Sequence, residues 1–264
     1  MTILDKIIAH KAQEVAQRKE QVSVQVLEKS GFFAKTNNSL KTSLLNPASS
    51  GIIAEFKRKS PSKGIINGNV TVEEVTAGYV QAGAACLSVL TDFEFFGGTS
   101  EDFLKARRTN PTIPMIRKDF MIDEYQIIEA KSLGADVILL IAANLTPQRI
   151  KDLGKLTKEL GMETLLEIHD EEELNRSLNQ YIDVVGVNNR NLKNFAEQNV
   201  NASLELAEKI PAECIKISES CISQAETIKL LKSVGYKGFL IGETFMKTEK
   251  PAEALKVFID EVRS

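Results

Sequence analysis

Cysteine and histidine are scarce in this sequence, and long apolar runs and blocks of like charge are missing. Its 264 residues contain three cysteines, Cys86, Cys214 and Cys221, and two histidines, His10 and His169. An odd number of cysteines without metal-ligand spacing argues against a disulfide framework and against a zinc site. Cys86 and Cys214 lie in apolar, strand-like runs and read as small buried hydrophobes. No stretch of about 18 apolar residues is present, which excludes a membrane-spanning helix. Residues 1–20 are charged throughout and lack the apolar core of a signal peptide, so a cytoplasmic location is expected. Basic and acidic residues number 33 and 36, giving a net charge of −3. They are interspersed with no basic block, so neither nucleic acid nor a membrane surface is expected as a partner, and the ligand should be a small molecule.

What is present is a regular alternation. Hydrophobic content is 43%, enough for a sizeable core. Beyond residue 50, short β-branched runs alternate with longer amphipathic stretches. The strand candidates are Ile52 to Lys57, Cys86 to Leu90, Pro114 to Lys118, Asp136 to Ile141, Glu163 to Ile168, Asp183 to Val187, Cys214 to Ser218 and Gly238 to Gly242. Helical stretches lie between them, including Thr71 to Ala82, Asp123 to Leu133, Thr146 to Leu160 and Ile222 to Val234. Gly83, Gly134, Gly161 and Gly235 stand where helices end. Strand–helix alternation implies a parallel sheet with helical crossovers. Eight such units over residues 51–264 match a (β/α)8 TIM barrel better than an open doubly wound sheet, which has fewer strands and a Gly-rich first turn.

Residues 1–50 break the rhythm. Ile3, Leu4, Ile7, Ile8 and Val15 have helical spacing over Ile3 to Arg18, a second short helical stretch follows, and Thr36 to Ser50 reads as a polar linker. We read this as an N-terminal helical extension packed on the barrel, within a single domain spanning 1–264.

The segment Ile52 to Gly64 runs an apolar strand into alternating charges and a Ser-Pro-Ser loop. With period two, Ala54, Phe56 and Arg58 share one face while Glu55, Lys57 and Lys59 share the other. An acid and a base thus meet at the end of a buried run, where isolated charges would cost several kcal/mol. In a barrel of this class the active site lies at the C-terminal ends of the strands. There the sequence also puts Lys118-Asp119, Glu167, Asn188, Arg190 and Ser218-Glu219-Ser220. Any single strand end carries polar loop residues, which suffices for Asp119 or Asn189, but the coincidence at so many ends does not reduce to that. The ends of the last two strands, Ser218 to Cys221 and Gly242-Glu243, occupy the usual phosphate site of the fold. Phe96-Gly97-Gly98 reads either as a mobile loop carrying Phe96 over an aromatic ligand or as a structural turn. His169 sits two residues beyond Glu167 and reads as a bystander, and His10 as a surface or staple residue.

These motifs together resemble the indole-3-glycerol phosphate synthase family over essentially the whole chain. The resemblance rests on Ile53-Ala54-Glu55-Phe56-Lys57-Arg58-Lys59-Ser60-Pro61-Ser62, Leu87-Ser88-Val89-Leu90-Thr91, Phe96-Gly97-Gly98 and Arg117-Lys118-Asp119-Phe120. It continues through Leu166-Glu167-Ile168-His169, Gly186-Val187-Asn188-Asn189-Arg190-Asn191-Leu192, Ser218-Glu219-Ser220 and Leu240-Ile241-Gly242-Glu243. It implies Lys118 as general acid, Glu167 as general base and Glu55 assisting, with Lys57 pairing with the substrate carboxylate or sharing the acid role. It further implies that Asn188 orients substrate or carboxylates and that Glu219 and Ser220 complete the pocket. Ser60, Arg190 and the backbone at Cys221, Gly242 and Glu243 would surround a phosphate. The implied substrate is 1-(2-carboxyphenylamino)-1-deoxyribulose 5-phosphate, and no cofactor or metal is called for. A monomer is expected, with other enzymes of the tryptophan pathway as further partners. Cys221 departs from the family, which has glycine there. Two rivals remain at this point: phosphoribosylanthranilate isomerase, which gives no reason for the Glu-x-Lys pair, and a catalytically silent barrel, which would have lost Lys118 or Glu167.

Overall fold

The computed structural model describes residues 2–190 and 199–264; Asn191 and Leu192 of the motif above lie outside the described residues. The strands are β1 (Ile52–Phe56), β2 (Cys86–Leu90), β3 (Met115–Lys118), β4 (Val137–Ile141), β5 (Glu163–Ile168), β6 (Val184–Asn188), β7 (Ile215–Glu219) and β8 (Gly238–Ile241). Each pairs in parallel with the next, and β1 pairs with both β2 and β8, which closes the ring. Each observed strand lies within one residue at either end of its expected range.

Period two divides every strand between two cores. Ile52, Ala54 and Phe56 face outward with Leu87, Val89, Ile138, Leu140, Val185 and Phe239 into the layer beneath the helices. Ile53, Cys86, Ile116, Leu139, Leu165, Ile217 and Leu240 face inward and fill the barrel. The inward series then changes character toward the C-terminal ends: Glu55 follows Ile53, Lys118 follows Ile116, Glu167 follows Leu165 and Glu219 follows Ile217. The alternation that packs the barrel therefore also aims those four charges into one mouth.

Three helices precede the barrel: α1 (Ile3–Gln21), α2 (Val24–Leu27) and α3 (Leu40–Leu45). The polar-linker reading of Thr36 to Ser50 is corrected by α3. Ser39 caps it, and Leu40 and Leu44, one helical turn apart, are buried in the interior cluster with Ile53, Val137 and Val184. Two buried leucines, each contributing about 1.5–3 kcal/mol, close the N-terminal end of the barrel, outweighing the polar residues around them. Ser39 and Lys41 also bond Glu163 at the start of β5. The opposite end receives α1, whose Lys11 reaches Asp92 and Asp119 just past β2 and β3.

The helices around the barrel are α4 (Val72–Ala82), α5 (Phe93–Phe96), α6 (Ser100–Thr109), α7 (Glu124–Leu133), α8 (Pro147–Glu159), α9 (Glu171–Ser177), α10 (Asn201–Leu206), α11 (Ala225–Ser233), α12 (Glu243–Met246) and α13 (Pro251–Arg263). The helix expected over Ile222 to Val234 begins three residues late, because the chain leaves β7 through a left-handed turn at Ser220 and Cys221. Cys86 is buried as expected, whereas Cys214, just ahead of β7, is only half-buried.

Candidate active site

Lys118, the last residue of β3, extends across the barrel mouth. Its Nζ lies 2.6 Å from Glu167 Oε2 on β5 and 3.3 Å from Glu219 Oε2 on β7. Asn188 Nδ2, at the end of β6, donates to the other Glu167 oxygen at 3.0 Å. Glu55 on β1 pairs with Lys57 at 2.6 Å, and Ser88 approaches its second oxygen at 3.5 Å. Two glycines make room for these carboxylates. A Cβ on Gly186 of β6 would overlap Glu219 Oε1, and one on Gly242 would stand 2.6 Å from Glu55 Oε1. Gly242 thus shapes the acidic wall besides opening α12.

Burial works against every charge here, and the neighbours decide the outcome. For Lys118 desolvation opposes the ammonium, but Glu167, Glu219 and Glu55 outweigh it and raise its pKa above that of ordinary lysine. For Glu167 desolvation is again opposed, chiefly by the Lys118 ammonium and also by the hydrogen bonds from Lys118 and Asn188. The carboxyl stays well below its usual range. Glu219 is the loser: desolvation, reinforced by the Glu167 and Glu55 carboxylates, pushes it up to about 7 despite Lys118. Its Oε1 is buried without a hydrogen-bond partner among the described residues. The resting cluster therefore holds a cation, a firm anion in Glu167 and a carboxyl poised to carry a proton.

The β1 end bends after Lys57. Arg58 lies over the Phe56 ring at 4.6 Å and pairs with Asp102, in keeping with the outward face expected for both. Lys59 does not join the Glu55 face. It enters a two-stranded ribbon, Lys59–Ser60 with Gly64–Ile65, and donates to the Glu94 carbonyl. Ser60 is buried in that ribbon, and its hydroxyl lacks a partner among the described residues. Arg190 donates to Ser62 Oγ at 2.9 Å and lies 3.8 Å from Glu243, which Lys63 approaches at 3.7 Å. The β1 loop, the β6 end and the start of α12 thus converge. Ser220 and Cys221 adjoin it with φ of 66° and 59°.

Of the two readings of Phe96-Gly97-Gly98, the structure supports the turn. Gly97 ends α5 in the left-handed region, and a Cβ on Gly98 would collide with the Leu90 carbonyl. Phe96 nevertheless faces the mouth side, its ring 5.9 Å from that of Phe120 just past Lys118. His10 packs edge-on against Phe95. For His169 burial opposes the charge, but its bond with Glu173 and the fields of Glu167, Glu173 and Glu219 raise its pKa. Two surface hollows, about 550 Å³ along α13 and about 710 Å³ between α3 and the start of β7, contain none of the site residues.

The sequence profile of indole-3-glycerol phosphate synthase matches residues 4–258. The chain belongs to the indole-3-glycerol phosphate synthase family. An indole-3-glycerol phosphate synthase of Bacteroides thetaiotaomicron is 46% identical over 261 residues, covering 99% of each chain. One from Polaromonas sp. strain JS666 is 42% identical over 256 residues, covering 96% of each. Among solved structures, 3-hexulose-6-phosphate synthase from Salmonella typhimurium superposes with a TM-score of 0.64 at 12% identity, covering 81% of this chain and 98% of that one. A tryptophan synthase α-subunit from Pyrococcus furiosus gives 0.58 at 16%, with 81% and 98% covered. These two likenesses concern the barrel fold alone. Sequence reasoning passed over Lys11, Asn189 and Phe120, whose partners are distant in the chain; family membership by itself assigns them no role.

Proposed function

We propose that the Lys118–Glu167–Glu219 cluster carries out the indole-3-glycerol phosphate synthase reaction, the carboxy-lyase step of tryptophan biosynthesis that closes the indole ring. The observation that carries this reading is a buried ammonium held between two carboxylates of opposite proton affinity, 2.6 and 3.3 Å away, in the mouth of the barrel.

The substrate's ring carbon bearing the carboxylate attacks the ribulose ketone, whose oxygen becomes an alkoxide. Lys118 supplies a proton to that oxygen; a raised lysine pKa is no obstacle, since an alkoxide is far more basic. The carboxylate then leaves as CO2, and its bonding electrons restore aromaticity. Dehydration needs a proton on the departing hydroxyl and removal of one from the neighbouring ring carbon. Glu167 is a poor base while Lys118 is charged, because that charge is what depresses it. Once Lys118 has given up its proton the depression is relieved, so the acid's step arms the base. Glu219, pushed up to about 7, lies close enough to protonate Lys118 again, and Lys118 then gives that proton to the departing hydroxyl while Glu167 takes the one from the ring carbon.

Phe96 and Phe120 give the anthranilate ring an apolar wall, Lys57 faces its carboxylate, and Asn188 keeps Glu167 oriented. Ser60, Ser220, Arg190 and the backbone at Cys221, Gly242 and Glu243 surround the phosphate. Proton transfer contributes about 10² to 10⁴ in rate, leaving much of the rest to this two-ended anchoring. The chain acts as a cytoplasmic monomer on this account. The test is turnover of 1-(2-carboxyphenylamino)-1-deoxyribulose 5-phosphate by the purified chain, followed by indole fluorescence. Saturable binding without product would overturn the reading.

A further inference from the structure

Ser220 and Cys221 are the only described residues other than glycine with positive φ. The left-handed region is strained for an ordinary residue, and two in succession persist only where the surroundings over-determine them. Neither side chain has the local bonding habit that lets asparagine or aspartate adopt this conformation, so the constraint comes from outside the turn.

Its source is Asn189, buried just past β6. The Asn189 backbone N–H donates to the Glu219 carbonyl at 2.9 Å. Its side-chain amide donates to the same carbonyl at 2.9 Å, to Ser218 Oγ at 2.9 Å and, more weakly, toward the Ser220 carbonyl at 3.4 Å. The amide cannot swing away. Asn189 Oδ1 accepts from the backbone N–H and the hydroxyl of Ser203, at 3.1 and 2.9 Å, and the Ser203 carbonyl accepts from Tyr236 Oη at 2.7 Å. The Asn189 carboxamide thus ties the β7 end to Ser203, which Tyr236 holds in turn.

The consequence is directional. A trans peptide points its C=O and N–H to opposite sides, and no cis bond occurs among the described residues. With the Glu219 and Ser220 carbonyls drawn toward Asn189 and β6, the N–H groups of Ser220 and Cys221 are turned the other way. That is the side of β8, where Gly242 opens α12.

We propose that Asn189 is a positioning residue for phosphate binding: it holds Ser220 and Cys221 in their left-handed turn so that their peptide N–H groups face the phosphate of the substrate. The inference rests on the reading of the β7 and β8 ends as the phosphate site.

Three variants test it. Asn189→Ala is expected to raise KM about tenfold with kcat within about threefold, and to weaken competitive inhibition by inorganic phosphate by a similar factor. Adding Cys221→Gly to Asn189→Ala should recover at least about threefold of the lost KM, since glycine takes the left-handed conformation unaided. A residue that only stabilised the fold would show no such rescue. If Asn189→Ala does not fold, Ser203→Ala, which loosens the anchor of Asn189 and keeps its donors, should raise KM in the same direction by about threefold; an unchanged KM there overturns the proposal. Arg190→Ala separates the two levels. A raised KM in Arg190→Ala with none in Asn189→Ala defeats the positioning role and leaves the phosphate site standing. An unchanged KM in both, with no competition by phosphate in the wild type, defeats the phosphate site and the proposal together.

Discussion

Lys118 and Glu167 form a 2.6 Å ion pair although their strands, β3 and β5, are not neighbours. β4 lies between them and presents apolar Leu139 and Ile141 to the interior, so the pair spans the gap above an apolar floor. Removing the cation should accordingly act on chemistry more than on binding. Lys118→Met is expected to lower kcat by about 10² to 10⁴ while substrate affinity stays within about tenfold, because the proton meets charge that develops only in the transition state. Single-turnover kinetics with a separate binding titration check this. Near-normal turnover would move the acid role to Lys57.

Glu167→Gln keeps the bond from Asn188 and loses the proton acceptor. The expectation is a normal or mildly slowed ring closure followed by accumulation of the undehydrated intermediate, seen by rapid quench. Equal slowing of both steps would count against assigning Glu167 to the late proton removal.

Glu219 gives the protein a stability slope opposite in sign to that of Glu167. Its folded pKa of about 7 lies above the usual glutamate value of 4.5, so the folded state binds its proton more tightly than the unfolded chain does. The stabilisation is fully present below the unfolded value and is lost as pH rises through about 7. Glu167, depressed in the fold, instead loses its contribution as pH falls below the usual carboxylate range. In Glu219→Gln the fall in stability between pH 5 and pH 8 should therefore shrink, by up to about 3 kcal/mol. Urea unfolding at the two pH values measures it, and an unchanged difference would mean that Glu219 titrates normally.

The barrel was legible because both of its determinants are local: period two within strands and glycine at helix ends. Glu55, Lys118, Glu167 and Glu219 were legible for the same reason, since each continues an inward-facing series begun by an apolar residue. What escaped depends on contacts between distant segments. Leu40 and Leu44 are too few to mark a helix until the open end of the barrel is there to receive them. Lys59 left its expected face because the chain turns at Arg58 to pair with Asp102, 44 residues on. Asn189 looked like any polar strand end, and only the fold supplies the carbonyls it holds.

Lys11 shows the same limit and yields a stability prediction. It lies on α1, fully buried, with Nζ 2.9 Å from both Asp92 and Asp119 and 2.8 Å from Glu14. Burial opposes its charge, but Asp119 and Asp92 outweigh it and raise its pKa, while Lys11 and Arg117 overcome burial to hold Asp119 down at about 2. Lys11→Met takes the cation from buried Asp92 and leaves Asp119 with Arg117 alone, a loss of about 3–5 kcal/mol. Denaturant midpoints should fall accordingly, with amide exchange quickening first in α1. A loss under about 1 kcal/mol would show that water reaches Asp92 once the lysine is gone.

Cys221→Gly tests the left-handed turn in isolation. With φ at 59°, Cys221 occupies the left-handed region, where a residue with a Cβ is strained. Glycine keeps the N–H and pays no Cβ penalty there, and should raise stability by roughly 1 kcal/mol. The gain is partly offset by the extra freedom glycine has in the unfolded chain. Because the donor is retained, KM should move by less than about threefold. The Cys221 thiol approaches the Asn189 carbonyl at 3.9 Å, a weak contact. A melting temperature that falls, or a KM that rises tenfold, would mean that the thiol itself supports the turn or the ligand.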